Sequence, residues 1–352
     1  MTDPWLCTRE DVKRATDTQT SHRVNRQVDQ AIAAATEIIR DHLGDVVIHP
    51  VEATKTWDWP AETPSTTRSF RVWLDQWTLI SVDSVTSGGT VIPSTDYRLL
   101  PQRSGPPYHE LQIVLSEDSY LQSGSTWQDS LSITGTFGLR DTQVTAGALD
   151  GALDDSQTTV KVTDGSLVDV GDLLTVGTER MLVTERAQAT TGTTINANVT
   201  TEHDADTISV ASAAGLNPGE DLQVDAETMH LVSISGTTLS VVRAYDGTGR
   251  AAHTSGATLN ASRSLTVVRG AQGSTAASHL DAAAVTKLSL PANLVDAGVD
   301  VALIRLGWKR TGHSIKVGTT QGRGGARNRS VQIDEILAGL NNLRQGPKVR
   351  AI

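Results

Sequence analysis

Apolar residues recur every three or four positions over 21–43, where Val24, Val28, Ile32, Ala35, Ile39 and Leu43 share one stripe and Gly44 supplies a stop. That spacing predicts a long helix with one buried face. Ahead of it, Thr8 followed three positions later by Asp11 reads as a capping box opening a short helix over 9–16. The period then drops to two. Phe70, Val72 and Leu74 alternate with polar residues, as do Leu111, Ile113 and Leu115; "VTSGGTVIP" supplies a hairpin turn, and "LSITGTFGL" (131–139) closes a small sheet. Near the end the helical period returns. Pro291 sits in the first turn of a helix reaching about Lys309, and Leu294, Val295, Val299, Val301, Leu303, Ile304 and Leu306 wrap most of its circumference, which predicts burial. A last amphipathic helix, "VQIDEILAGLNNLRQG", sets Ile333, Ile336, Leu337, Leu340 and Leu343 on one face before Gly346 and Pro347.

Between these segments the chain repeats itself. "TTVKVTDGSLVDVGDLLTVGTERMLVTE" (158–185) aligns with "DTISVASAAGLNPGEDLQVDAETMHLVS" (206–233) at an offset of 48, which matches Gly171 with Gly219, Glu179 with Glu227 and Met181 with Met229. A second match, "VVRAYDGTGRAAH" (241–253) with "VVRGAQGSTAASH" (267–279), has an offset of 26. Copy two runs straight on into its ending, whereas copy one stops near Thr194 and a spare ending waits at 267. Nesting explains both facts: module one (155–199 plus 263–286) is interrupted by module two (200–262), as a loop tip tolerates when its ends are close. Composition marks the same stretch, because all seven Trp and both Phe lie outside 150–287. The expected organisation is a frame at 1–148, an inserted β-repeat domain at 149–287, a frame helix at 288–311, and a basic glycine-rich arm with the last helix at 312–352. The expected fold is α+β: a helical frame, with a long N-terminal helix and a buried helix in its C-terminal half, carrying a small β-sheet domain and a nested all-β insertion.

Charge and chemistry narrow the function. The net charge is −10, and residues 150–287 hold eight Lys/Arg against seventeen Asp/Glu, so a general nucleic-acid binder is not expected. One cysteine provides neither a disulfide framework nor a zinc cluster. "MTDPWLCTREDVKRATD" lacks the basic and apolar segments of a signal sequence, and no run approaches a membrane span, so a chain made in a cytoplasm and not bound to membrane is expected. No nucleotide-binding, serine-hydrolase or zinc-protease motif occurs. "GTGRAA" (247–252) fits a dinucleotide fingerprint formally, yet no helix follows it, so it reads as a turn. "HDAD" (203–206) reads as a solvated loop, and His253 and His279, at matched positions, as turn contacts. Glu179 and Glu227 recur in register, but paired acid catalysis needs two different environments and repeats supply similar ones. Trp57 and Trp59 fit core or subunit packing better than a sugar site. No catalytic, cofactor-binding or metal-binding residue is expected, and the protein is not expected to be an enzyme.

Residues 312–352 reverse the sign, with seven Lys/Arg against Asp334 and Glu335. In order of preference, this arm folds onto an acidic partner, remains a solvated tail, or touches DNA through Arg323, Arg327 and Arg329.

The succession "VNRQVDQAIAAATEIIRDHLG", "WDWP", "RVWLDQWTLISVDSVTSGGTVIPSTDYRLLP", "GPPYHELQIVL", "LSITGTFGL" and an apolar helix resembles the head-to-tail adaptor (connector) proteins of siphophages, particularly those of actinobacterial hosts. The resemblance covers about 1–140 and 288–352. The repeated module is similar to small β units that recur as insertions in tailed-phage structural proteins. The resemblance implies a virion protein at the head–tail junction, forming a ring of twelve copies beneath the portal protein. On its far side the ring would meet a stopper or tail protein, and genome DNA would pass through the lumen without sequence-specific binding. It further implies portal contacts from Arg323, Arg327, Arg329, Ile333, Ile336, Leu337, Leu340 and Leu343, and packing between subunits by Val24, Val28, Ile32, Trp57 and Trp59. The competing expectation is a virion-associated binding or decoration module whose insert grips glycan or capsid.

Overall fold

A computed structural model describes residues 4–16, 22–59, 69–114, 126–310, 329–341 and 343. The chain divides into two compact units, one of residues 1–39, 143–271 and 275–339, the other of 40–142, 272–274 and 340–352. Strand makes up 40% and helix 21%, which overturns the expected helical frame with a small sheet. The protein is mostly β, with four helices among the described residues: α1 (Arg9–Thr16), α2 (His22–Leu43), α3 (Ala292–Arg310) and α4 (Arg329–Ala338). Among the described residues, the expected frame segment 1–148 alone holds eight strands, the last of which (Gln143–Ala148) joins the sheet of the inserted modules. Several carry polar side chains on both faces, so alternation of apolar residues hides them.

In the second unit, β1 (Val51–Trp57), β7 (Leu131–Phe137), β3 (Leu79–Ser87) and β4 (Thr90–Val91) form one antiparallel sheet in that order. A second sheet joins β2 (Ser69–Trp73), β6 (Glu110–Val114) and β5 (Tyr97–Leu100). Val72, Leu74, Leu79, Val85, Leu111, Ile113, Leu131, Ile133 and Phe137 form their common core. Trp57 and Trp77 pack against Phe137 with ring centroids 6.5 and 5.8 Å apart, and the Lys55 ammonium lies 3.6 Å from the Trp77 ring centroid. Gly135 lets β7 pass close to β3, because a Cβ there would collide with the Ser81 carbonyl.

The first unit is built on a ten-stranded sheet. Module one supplies β8 (Gln143–Ala148), β9 (Thr159–Lys161), β10 (Leu173–Val176), the first half of β11 (Glu179–Thr194), the second half of β16 (Thr258–Val268), and β17 (Ala284–Leu288). Module two supplies β12 (Thr207–Ser209), β13 (Asp221–Val224), β14 (Glu227–Ser235), β15 (Thr238–Val242) and the remaining halves of β11 and β16. Pairing registers repeat residue for residue. Leu174 faces Met181 as Leu222 faces Met229, Val160 faces Leu265 as Ile208 faces Leu239, and a bulge after Val183 recurs after Leu231.

Each module has its own core. One gathers Leu149, Leu153, Val160, Val162, Leu174, Met181, Leu265 and Val285. The other gathers Ile195, Val199, Ile208, Val210, Leu222, Met229, Leu239 and Leu259. The repeat alignment places Ile195 and Val199 in module one, whereas both pack in the second core. The splice lies further back in the chain than that alignment puts it. In module two, Ser235 pairs with Thr238 across the two-residue turn Gly236-Thr237. In module one the equivalent pair is Ala187 with Ser264, so residues 188–263 stand where module two has only that turn.

Helix α1 opens with the capping box: the Asp11 N–H donates to Thr8 Oγ1 at 3.1 Å, and the Thr8 N–H to Asp11 Oδ2 at 2.9 Å. Along α2 the stripe Val28, Ile32, Ala35, Ile39 and Leu43 is buried. Helix α4 stops at Ala338, before Gly339.

Candidate functional site

The densest polar chemistry lies in two copies of one cluster. In module two, β14 begins at Glu227, Arg243 follows the last residue of β15, and the ending turn returns the chain to His253. The guanidinium of Arg243 grips Glu227 through both carboxylate oxygens, Nε to Oε1 at 2.8 Å and Nη2 to Oε2 at 2.6 Å, with both side chains 0% exposed. Backbone N–H groups of Ala244 (2.9 Å) and Ala251 (2.8 Å) also donate to this carboxylate, and His253 Nε2 lies 2.9 Å from Oε2. Arg243 Nη1 donates to the carbonyls of Thr200 and Ala205, and Nη2, already on Glu227, also donates to that of Ala251. Module one repeats the grip on the carboxylate, without the second carboxylate, Asp225, that module two sets 2.8 Å from His253 Nδ1 and whose aligned residue in module one is Gly177. Arg269 Nε and Nη2 hold Glu179 at 2.6 and 2.7 Å, Gly270 and Ala277 donate their N–H groups, and His279 Nε2 stands 2.8 Å away.

Burial alone would raise these carboxyls, but the arginine, the histidine and the N–H donors outweigh it and hold Glu179 and Glu227 at about 2. A carboxylate with both oxygens committed in this way is a poor proton acceptor for a substrate and a good lock for a loop. Each cluster closes a module ending whose turn uses left-handed backbone, at Ala244, Asp246 and Gly247 in module two and at Gly270, Gln272 and Gly273 in module one.

A third cluster ties α1 to module one. Arg9 bridges Asp29 of α2 at 2.7 Å and Glu185 of β11 at 3.1 Å, while its N–H donates to the Val170 carbonyl at 3.0 Å. Glu10 Oε2 accepts the Val170 N–H at 2.9 Å, and Arg14 and Arg186 both grip Asp169, at 2.9 and 3.1 Å. Behind them Asp172 pairs with Lys287 at 2.9 Å. Burial, reinforced by the nearby Asp169 charge, pushes Glu10 up to about 7 against the pull of Arg186, Val170 and Lys13. Burial also lifts Asp172 to about 6, with Lys287 opposing it and Asp169 adding to it. Lys13 reaches Asp246 of module two at 3.1 Å. Burial, with Asp11 adding to it, raises the Cys7 thiol to about 12, so it is an inert core group at neutral pH. Among the described residues, no group of three or more His, Cys, Asp or Glu is placed to hold a metal ion.

The structure scatters the residues singled out for partner contacts. Val28 and Ile32 are buried along α2, with Val24 half-buried; Trp59 is buried against Phe70 and Trp57 half-buried against Phe137. Ile333 and Leu337 of α4 are each only 8% exposed, so a partner would reach them only by displacing that helix, and Leu340, beyond its end, is 2% exposed. Ile336 and Leu343 are half-buried. Arg323 and Arg327 lie outside the described residues, and Arg329 opens α4. Sequence reasoning missed Arg243 and Arg269 as the centres of the clusters, although both stand at the same place in the repeated ending. It also missed the role of Arg9, Glu10, Lys13 and Arg14. No family model, curated protein or solved structure matches this chain.

Proposed function

We propose that the protein is a structural virion subunit, a head-to-tail adaptor that joins a ring beneath the portal. The observation that favours a scaffold over an enzyme is the saturation of Glu179 and Glu227, whose oxygens are taken up by arginine, histidine and backbone donors. The assignment to the head–tail junction rests on the resemblance of the frame segments at 1–140 and 288–352. Mechanism here means assembly: weak contacts between copies become ordered when a portal ring templates them.

The test is to mix the purified chain with its cognate portal ring and weigh the product by native mass spectrometry. A portal complex carrying a ring of copies is expected. Arg323→Glu with Arg327→Glu is expected to weaken it without unfolding the chain, which makes this pair a cleaner probe than the buried Leu337. Absence of any complex across a salt series would remove the adaptor function.

A further inference from the structure

An open groove runs between α3 and α4. Its apolar floor is Leu303, Ile304 and Ile336, and its polar margin is Asp300, Gln332 and Glu335. Asp296 stands one turn before Asp300 on α3, and both are exposed. Partial burial, then the like charge of Asp296, raises the Asp300 carboxyl above the usual range, so a cation brought into the groove would relieve repulsion. The chain carries a segment of matching chemistry a few residues after α4. Residues 344–352, "RQGPKVRAI", contain Arg344, Lys348 and Arg350, no acid, and the apolar Val349, Ala351 and Ile352. Beyond Gly346-Pro347, an extended stretch would set Lys348 and Arg350 on one side and Val349 and Ala351 on the other. Those two sides answer the acidic rim and the apolar floor.

We propose that the groove between α3 and α4 is a docking site for segment 344–352 of a second copy of this chain. Groove and segment are different patches of one chain, so the contact is head-to-tail and can close into a ring. The choice of a second copy rests on the ring-subunit function proposed above. Surface charge governs recognition and register here, and the apolar side chains supply contact area.

Charge exchange tests this by sedimentation equilibrium on the full-length protein, with circular dichroism as a control for folding. The wild type is expected to self-associate with a Kd below about 100 μM, and to do so less at about 500 mM than at about 50 mM salt. Asp296→Lys/Asp300→Lys alone, and Lys348→Glu/Arg350→Glu alone, are each expected to weaken association by about tenfold or more. An equimolar mixture of the two variants should recover it, because each reversed groove then meets a reversed segment. A wild type that stays monomeric, or variants that associate as it does, would overturn the proposal. So would loss in both variants without recovery on mixing, which is the signature of contact within one copy. Association by charge exchange with no portal binding upholds the groove and sinks the adaptor function; portal binding without charge exchange does the reverse.

Discussion

Glu227→Ala is expected to open module two while leaving module one closed. The substitution takes the counter-charge from Arg243, whose side chain is 0% exposed, and strips the acceptor from the N–H groups of Ala244 and Ala251. Breaking a buried ion pair by removing one partner costs about 3–5 kcal/mol, and an orphaned buried donor about 1–3 kcal/mol. These overlap, since His253 and the turn relax together, so about 5 kcal/mol is the expected loss. That approaches the whole stability of a small domain. A single melting temperature is a poor readout, because a chain of several cores need not unfold in one step. Hydrogen exchange read by mass spectrometry separates the modules. Peptides within 195–261 should exchange about a thousandfold or more faster, the factor that about 5 kcal/mol implies. Peptides within 146–183 should be unchanged. Glu179→Ala should give the mirror image. A change below about tenfold in module two, or equal loosening of both modules, would refute the assignment of Glu227 as the lock of one module.

The same carboxylates set an acid limit. Held at about 2 when folded against 4.5 ordinarily, they contribute stability that is complete above 4.5 and lost as the pH falls toward 2; urea midpoints for both modules should drop across that window. Glu10 has the opposite sign. Raised to about 7, it favours the folded state when protonated, so docking of α1 should strengthen as the pH falls from 7 to 4.5. Glu10→Gln should reduce that trend in exchange over residues 9–16 corrected for intrinsic rates to the part Asp172, also lifted to about 6, supplies, and an unchanged trend would exclude Glu10 as its source. Gly135→Ala forces a Cβ onto the Ser81 carbonyl, and Gly256→Ala meets open space at φ +91°; losses of about 2–3 and about 1 kcal/mol are expected in urea denaturation, and equal losses would contradict the close packing of β7 on β3. Replacing residues 188–263 by Gly-Thr should leave module one folded, with its 146–183 peptides still protected, whereas a collapsed product would show that module one depends on its insert.

The stripe of α2 is legible in sequence because its buried positions keep one helical face over 22 residues. The paired Glu179 and Glu227 are legible as an offset of 48, but their partners are not, since Arg243 and Arg269 come from strands closing at different distances along the chain. The true start of module two is hidden for a similar reason. Bridges Leu149–Val162 and Ile195–Val210 are equivalent, yet their first residues stand 46 apart and their second 48. Strand β1 escapes because one of its inward positions is Lys55, which reads as solvent-facing until Trp77 is placed over it. The end of α4 is hidden because the apolar stripe continues to Leu343 after the helix has stopped at Ala338. The α1 contacts with Asp169, Glu185 and Asp246 join residues 155, 176 and 233 positions apart, a distance no local pattern spans.

The splice at Ala187 and Ser264 gives this architecture a grammar of parentheses. A gene can lengthen the protein at the farthest point of an existing hairpin while both termini, and whatever they are joined to, stay where they were. Each new clause brings its own hairpin, here Gly236-Thr237, and so its own place for another. Yet Gly165 of module one lies under the Ser262 carbonyl of the returning strand, where a Cβ would collide, and the aligned residue of module two is Ala213. A third module spliced after Ser235 would bring its returning carbonyl onto the Ala213 methyl, so the innermost clause is built as the last.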